Sequence, residues 1–135
     1  MTHSAQIALA PDQPAGVTVV DVVPPDRRLV TGLEAGPAAE ATYLIDDLTR
    51  LTDPAPGPVV LNLAEVDWID SGACAVLIRF WKALRAQGRA LALRVTPPVR
   101  ETFQITGLVR LIPCFGDLGE AIEAARTAAP AGDRA

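Results

Sequence analysis

From Val59 to Leu63 every residue but Asn62 is apolar, and Asp53-Pro-Ala-Pro-Gly-Pro58 bounds the run on its N-terminal side. An almost continuous apolar stretch of that length predicts a central strand covered on both faces. Further on, Ala73, Val76, Leu77, Phe80, Trp81 and Leu84 recur at three and four, the stripe of an amphipathic helix that Gly88 would stop, with Arg79, Lys82 and Arg85 on the other side. Ala41, Leu44, Ile45, Leu48 and Leu51 repeat in the same way after Pro37, which suits a first helical turn. Ala90 to Val95 predicts another buried strand. Pro97-Pro98 opens a short helix carrying Val99 and Phe103 that Gly107 closes, Leu111 to Phe115 is a last short strand, and Leu118, Ala121, Ile122 and Ala125 form a final helix.

The N-terminal part reads differently. Val17 to Val23 is rich in β-branched residues, Pro24-Pro25-Asp26 punctuates it, and Arg27 to Thr31 is expected to return beside it as the second strand of a hairpin. Residues 1–15, with Pro11 and Pro14 and little periodicity, read as a flexible N-terminal arm, and 130–135 as a C-terminal tail. The domain then spans 16–129. Strand and helix steps with short connections predict an α/β sandwich: a mainly parallel five-stranded sheet, opened by an antiparallel hairpin, with about four helices.

At 135 residues and 50% hydrophobic, the chain is large enough for one domain with a full core. Its formal net charge of −4, with twelve Lys and Arg spread along it, lacks the basic footprint of a nucleic-acid binder or an anionic-membrane binder. Proteins are the expected partners. No apolar run approaches the ~18 residues of a membrane span, and Met1-Thr-His-Ser-Ala-Gln lacks the basic and apolar regions of a secretory signal, so the expected location is cytoplasmic, without membrane insertion.

The candidate chemistry lies where the central strand leads through a short loop, Glu65-Val-Asp-Trp-Ile-Asp70, to Ser71 at the opening of a helix. A hydroxyl there lies beside free backbone N–H groups and the positive helix end, which favour added negative charge. By itself the pattern also fits a plain cap, supplied by Ser71 or by Asp70. An enzyme is disfavoured: the sole histidine, His3, lies in the arm, Ile69-Asp-Ser-Gly72 is not a Gly-x-Ser-x-Gly elbow, and no glycine-rich phosphate loop is present. One histidine and two distant cysteines supply no ordinary zinc site, so no metal and no cofactor are expected. Asp46-Asp47, Glu65 and Asp67 read as solvated surface.

Three residues keep two readings each. Asn62 is either a structural hydrogen-bonding residue for the Ser71 loop or a recognition residue. Trp68 is either a loop anchor or an exposed partner contact, whereas Trp81 falls on the inward stripe of its helix. Asp70 is a capping carboxylate or part of how a kinase recognises the serine. Cys74, in the first turn where the helix dipole would lower a thiol pKa, and Cys114 form a conceivable redox pair whose disulfide would pin the helix. The alternative is two buried small hydrophobes in a reducing compartment.

From Val17 to about Ala129 the chain resembles a STAS domain of the bacterial anti-sigma factor antagonist type. The resemblance rests on the Val-Val-Leu-Asn-Leu63 strand, Val66-Asp-Trp-Ile-Asp-Ser71, the Gly88 break, the strand before Pro97, and Thr106-Gly-Leu-Val-Arg-Leu111, in that order. It implies that Ser71 is the hydroxyl phosphorylated by a cognate anti-sigma factor kinase, which supplies the ATP, and that a phosphatase reverses the step. It also implies recognition through Asp70 and Glu34, and with the neighbouring Trp68 and Gly72 the candidate docking set is Glu34, Trp68, Asp70, Ser71 and Gly72. Two departures stand out. Gly72-Ala-Cys74 replaces a usual Ser or Thr, Gly, Leu, and Gly32-Leu-Glu-Ala35 replaces a frequent Gly-Glu-Leu-Asp, which leaves Glu34 to take the part of the missing aspartate. Other STAS domains serve as subunits beside transport ATPases or in signalling scaffolds, where binding is constitutive.

Overall fold

The computed structural model describes residues 5–31 and 39–128. Five strands form one sheet in the order β1 (Gln6–Leu9), β2 (Thr18–Val23), β4 (Val59–Asn62), β6 (Leu91–Arg94), β7 (Cys114–Phe115). β1 runs antiparallel to β2, and every other neighbouring pair in this sheet is parallel. A second, two-stranded parallel sheet joins β3 (Arg28–Leu29) to β5 (Trp68–Ile69). Four helices complete the described chain: α1 (Ala39–Thr52), α2 (Ser71–Ala86), α3 (Pro97–Thr106) and α4 (Leu118–Thr127).

Alternation within the strands explains the layers. Val20, Val22, Val59, Leu61, Leu91 and Leu93 point to one face and pack with Leu44 and Leu48 of α1, Val76, Leu77, Phe80 and Leu84 of α2, and Val99 and Phe103 of α3. Val19, Val60 and Ala92 point the other way, against Ala121 and Ala125 of α4. A strand buried on both faces needs apolar residues at consecutive positions, which is why the sequence shows unbroken runs here. The small side chains on the α4 face let that helix lie close to the sheet.

Two helix ends fall where glycine was expected to stop them. Gly107 takes a left-handed φ of 82° after α3, and Gly88 one of 71° just beyond α2, a conformation that costs glycine little.

The opening hairpin requires a correction. Its partner strand is β1, within the segment expected to be a flexible arm, and not Arg27 to Thr31. After Pro24-Pro25, Asp26 and Arg27 both adopt left-handed φ values, 54° and 58°, and this turn carries the chain away from the main sheet. Arg28–Leu29 then pairs with Trp68–Ile69, and the vacant edge of β2 is filled by Gln6–Leu9. Gln13 extends that edge: its side-chain amide donates to the carbonyl of Val19 at 2.8 Å and accepts from the Val19 N–H at 2.9 Å. The last strand is also shorter than predicted, Cys114–Phe115 alone, because the 3-10 turn at Leu108–Arg110 continues through Leu111 and Ile112, whose N–H groups donate to the Leu108 carbonyl at 2.9 and 3.1 Å. The tail expected over 130–135 lies outside the described residues.

Candidate functional site

The loop between β4 and α2 is held from several directions, and that is what places Ser71. Arg27 and Leu29 accept through their backbone carbonyls from the N–H groups of Asp67 (2.8 Å) and Asp70 (3.1 Å). The Arg27 guanidinium then forks across the same loop. Its Nε donates to Asp67 Oδ2 at 2.6 Å, its other two nitrogens donate to Glu65 Oε1 at 2.8 Å and to the Ala64 carbonyl at 3.0 Å, and one of them also reaches Asp67 Oδ1 at 3.1 Å. These bonds hold the Asp67 carboxyl below its usual range and the guanidinium above its own. From the other side the buried Thr96 hydroxyl donates to the Val66 carbonyl at 2.6 Å.

Asn62 takes its structural role here. Its amide nitrogen donates to Asp21 Oδ1 across the β2–β4 ladder at 3.0 Å, and its oxygen accepts from the Ala64 N–H at 3.2 Å. A polar side chain in an apolar strand is thereby matched at both ends. Glu65 and Asp67, expected as solvated surface, are exposed yet bound to Arg27. Among the described residues no group of three or more acidic, histidine or cysteine side chains is placed to hold a metal ion.

Asp70 is the N-cap of α2. Its Oδ1 accepts from the Ala73 N–H at 2.8 Å, and Oδ2 accepts from the N–H of the buried Thr31 at 3.0 Å, with the Thr31 hydroxyl 3.4 Å away. The cap therefore belongs to the aspartate and leaves the Ser71 hydroxyl out of that role. Ser71 is the first residue of the helix and is exposed, and the first turn contains no acidic residue. A phosphate on that oxygen would lie at a helix N-terminus where Asp70 takes the Ala73 N–H and no acidic side chain within the first turn adds its own charge.

The other predicted site residues divide. Trp68 is 46% exposed, immediately before the loop's last two residues, with the Arg28 guanidinium 4.4 Å from its ring centroid, a cation–π pair that keeps a large aromatic surface facing outward. Gly72 is buried. Glu34 lies outside the described residues. Cys74 and Cys114 are free cysteines, both half-buried. The pKa of Cys74 is not lowered by the helix end: burial first, and Asp70 second, push it up, and burial pushes the Cys114 thiol up to about 11. Trp81, expected in the core, is half-buried at its margin with Arg85 stacked over it at 5.3 Å.

Arg27, Thr31 and Thr96 organise the site without having been singled out in the sequence. Their partners lie some thirty to forty positions away, so no local spacing marks them.

Known proteins are similar to this chain in sequence and fold. The STAS domain model matches residues 38–121. Over 94 residues, 69% of this chain, the sequence is 33% identical to a Bordetella bronchiseptica protein bearing the provisional name anti-sigma factor antagonist BtrV, 81% of which is covered. Among solved structures, an anti-sigma-factor antagonist (STAS) domain protein of Planctomyces limnophilus is similar with a TM-score of 0.66 at 24% identity, covering 90% of this chain and 97% of the other. The Bacillus cell fate determinant SpoIIAA in its phosphorylated form is similar with a TM-score of 0.55 at 17% identity, covering 91% and 100%. Those two likenesses are of fold. The family model and the Bordetella relative establish that this chain belongs to the STAS domain family, with relatives among the anti-sigma factor antagonists.

Proposed function

We propose that this protein is an anti-sigma factor antagonist: with Ser71 unmodified it binds an anti-sigma factor of the serine-kinase type and so frees a sigma factor. Phosphorylation of Ser71 by that kinase turns the antagonist off, and a separate phosphatase restores it. The protein acts in the cytoplasm and catalyses nothing itself; ATP is bound by the partner. The observation that carries this reading is the exposed Ser71 hydroxyl at the first position of α2, relieved of capping by Asp70. The names of the relatives supply the class of partner.

The physical basis of the switch is a difference between two environments for one phosphate. In the free protein, about −1.5 to −2 units of charge at a helix N-terminus are favoured by the dipole, so the fold tolerates the modification. In the complex, a partner covering Ser71 would have to strip water from a doubly charged group beside Asp70. Desolvation and like-charge repulsion together amount to roughly several kcal/mol, and about 1.4 kcal/mol is already tenfold in affinity. Trp68, with its Arg28 partner, provides the apolar contact next to this patch.

The test compares Ser71→Ala with Ser71→Asp in binding to the purified anti-sigma factor kinase. The alanine variant is expected to bind as the wild type does and to resist inactivation by ATP, and the aspartate variant to bind at least tenfold more weakly. Equal affinity in both removes the switch.

A further inference from the structure

Beyond Ser71, the outer face of α2 carries charge of one sign only. In a chain with sixteen acidic and twelve basic residues, this 16-residue helix contains no aspartate or glutamate, while Arg79, Lys82 and Arg85 are all exposed. They are spaced by three, so neighbours lie on adjoining positions of the helix surface. Among the described residues none of the three is in an ion pair; Arg85 instead stacks on Trp81. The carboxylates that come nearest in sequence are occupied: Glu65 and Asp67 by Arg27, Asp70 by the cap and Thr31. The result is a basic stripe on the helix that opens with Ser71, in a protein whose net charge is −4.

We infer that this stripe is a second docking element, which captures an acidic face of the anti-sigma factor and sets how fast the complex forms. The inference rests on the function proposed above. Charge complementarity selects a protein partner. Apart from Ser71 and the three bases, the exposed positions of α2 are alanines, Ala75, Ala83 and Ala86, and the nearest large apolar side chains, Ile78 and Trp81, are half-buried, so the face lacks the exposed apolar groups that would enter a lipid interface. Three cations on a net-acidic chain also fall short of the footprint that neutralises a run of phosphates.

The stripe and the switch are separable because of distance. Arg79 to Arg85 lie eight to fourteen residues past Ser71, about 12 to 21 Å along a helix rising about 1.5 Å per residue. The Debye length at physiological ionic strength is about 8 Å, so a phosphate on Ser71 leaves the field of the stripe largely intact. Steering by the stripe governs association, and the contact at Ser71 governs dissociation.

Binding kinetics with the purified anti-sigma factor kinase test this. The triple variant Arg79→Glu, Lys82→Glu, Arg85→Glu is expected to associate at least about tenfold more slowly at low salt, with the gap closing at high salt and the dissociation rate changed less than about twofold. At physiological ionic strength, where the two sites are screened from each other, Ser71→Asp is expected to show the converse, faster dissociation with association nearly unchanged. Lys82→Arg keeps the wild-type rate. Should the triple variant fail to fold, Arg79→Gln with Lys82→Gln gives a smaller slowing of the same kind.

An association rate indifferent to these changes, in a complex still sensitive to Ser71, overturns the stripe alone. A kinase that does not bind the wild-type protein overturns the stripe together with the proposed function. Sedimentation of the wild type, but not the triple variant, with phosphatidylcholine and phosphatidylserine vesicles overturns it in favour of a membrane.

Discussion

Two helices of this protein start in the same way and end up with different uses. Asp70 caps α2 by accepting from the N–H three residues on at 2.8 Å, and Asp117 caps α4 by accepting from Glu120 at 2.9 Å. In α4 the first residue is Leu118, and Glu120 already places a carboxylate in the first turn. In α2 the first residue is the exposed Ser71 and the first turn holds no acid. Asp70 also reaches across to Thr31, tying the helix start to the chain beyond β3, whereas the Asp117–Glu120 bond stays within its own turn. The capping chemistry is shared. What separates a structural helix start from a candidate switch is the charge left out of the first turn and the hydroxyl put in its place.

The largest expected effect separates the two caps. Asp70→Ala removes a cap and also leaves the N–H of the buried Thr31 without its acceptor, for a loss of about 2–3 kcal/mol of unfolding free energy. Asp117→Ala removes a cap only and should cost about 1 kcal/mol. Urea denaturation of the two variants side by side measures the difference. Equal losses would mean that Thr31 contributes nothing to the start of α2 and that the two starts are energetically alike.

Arg27 sharpens the contrast, because its fork belongs to the start of α2 alone. Arg27→Ala is expected to lower stability less than either cap removal does, since all three charged groups are exposed and screened. Amide exchange should accelerate across residues 64–70 while α4 is unaffected. The pH dependence has a definite sign. The Asp67 pKa is lowered in the folded protein, so its contribution is present above the unfolded value and is lost as pH falls through the folded one. The wild type and Arg27→Ala should therefore converge in stability in acid, below about pH 4, where carboxylates take up protons.

The smallest effect concerns added charge itself. Ser71→Asp should change the unfolding free energy by less than about 1 kcal/mol, the dipole's favour offset by repulsion from Asp70. A loss of several kcal/mol on thermal or urea unfolding would contradict the claim that this helix start accommodates a negative group.

Much of this was legible in the residues. The almost unbroken run from Val59 to Leu63, preceded by prolines, and the periodic stripe from Ala73 to Leu84 mark buried elements, and both lie where their patterns place them. Ser71 and Asp70 were visible as a pair, although which of them capped the helix required coordinates. The edge strand Gln6–Leu9 was hidden because only Ile7 within it is even half-buried and two prolines follow closely. The left-handed turn at Asp26 and Arg27 was hidden too, since neither residue type announces positive φ as glycine would. The Arg27 fork and the Thr31 and Thr96 bonds join residues far apart in sequence, and side-chain bonds of that span leave no local signature.

The central claim is that Ser71 carries the mark that decides whether the partner stays bound. Intact-mass analysis after incubation with the cognate anti-sigma factor kinase and ATP tests it most directly. The account predicts one added phosphate in the wild type and none in Ser71→Ala, with the phosphorylated protein eluting apart from the kinase. Phosphate found in Ser71→Ala, or none in the wild type while the two proteins form a stable complex, would contradict it.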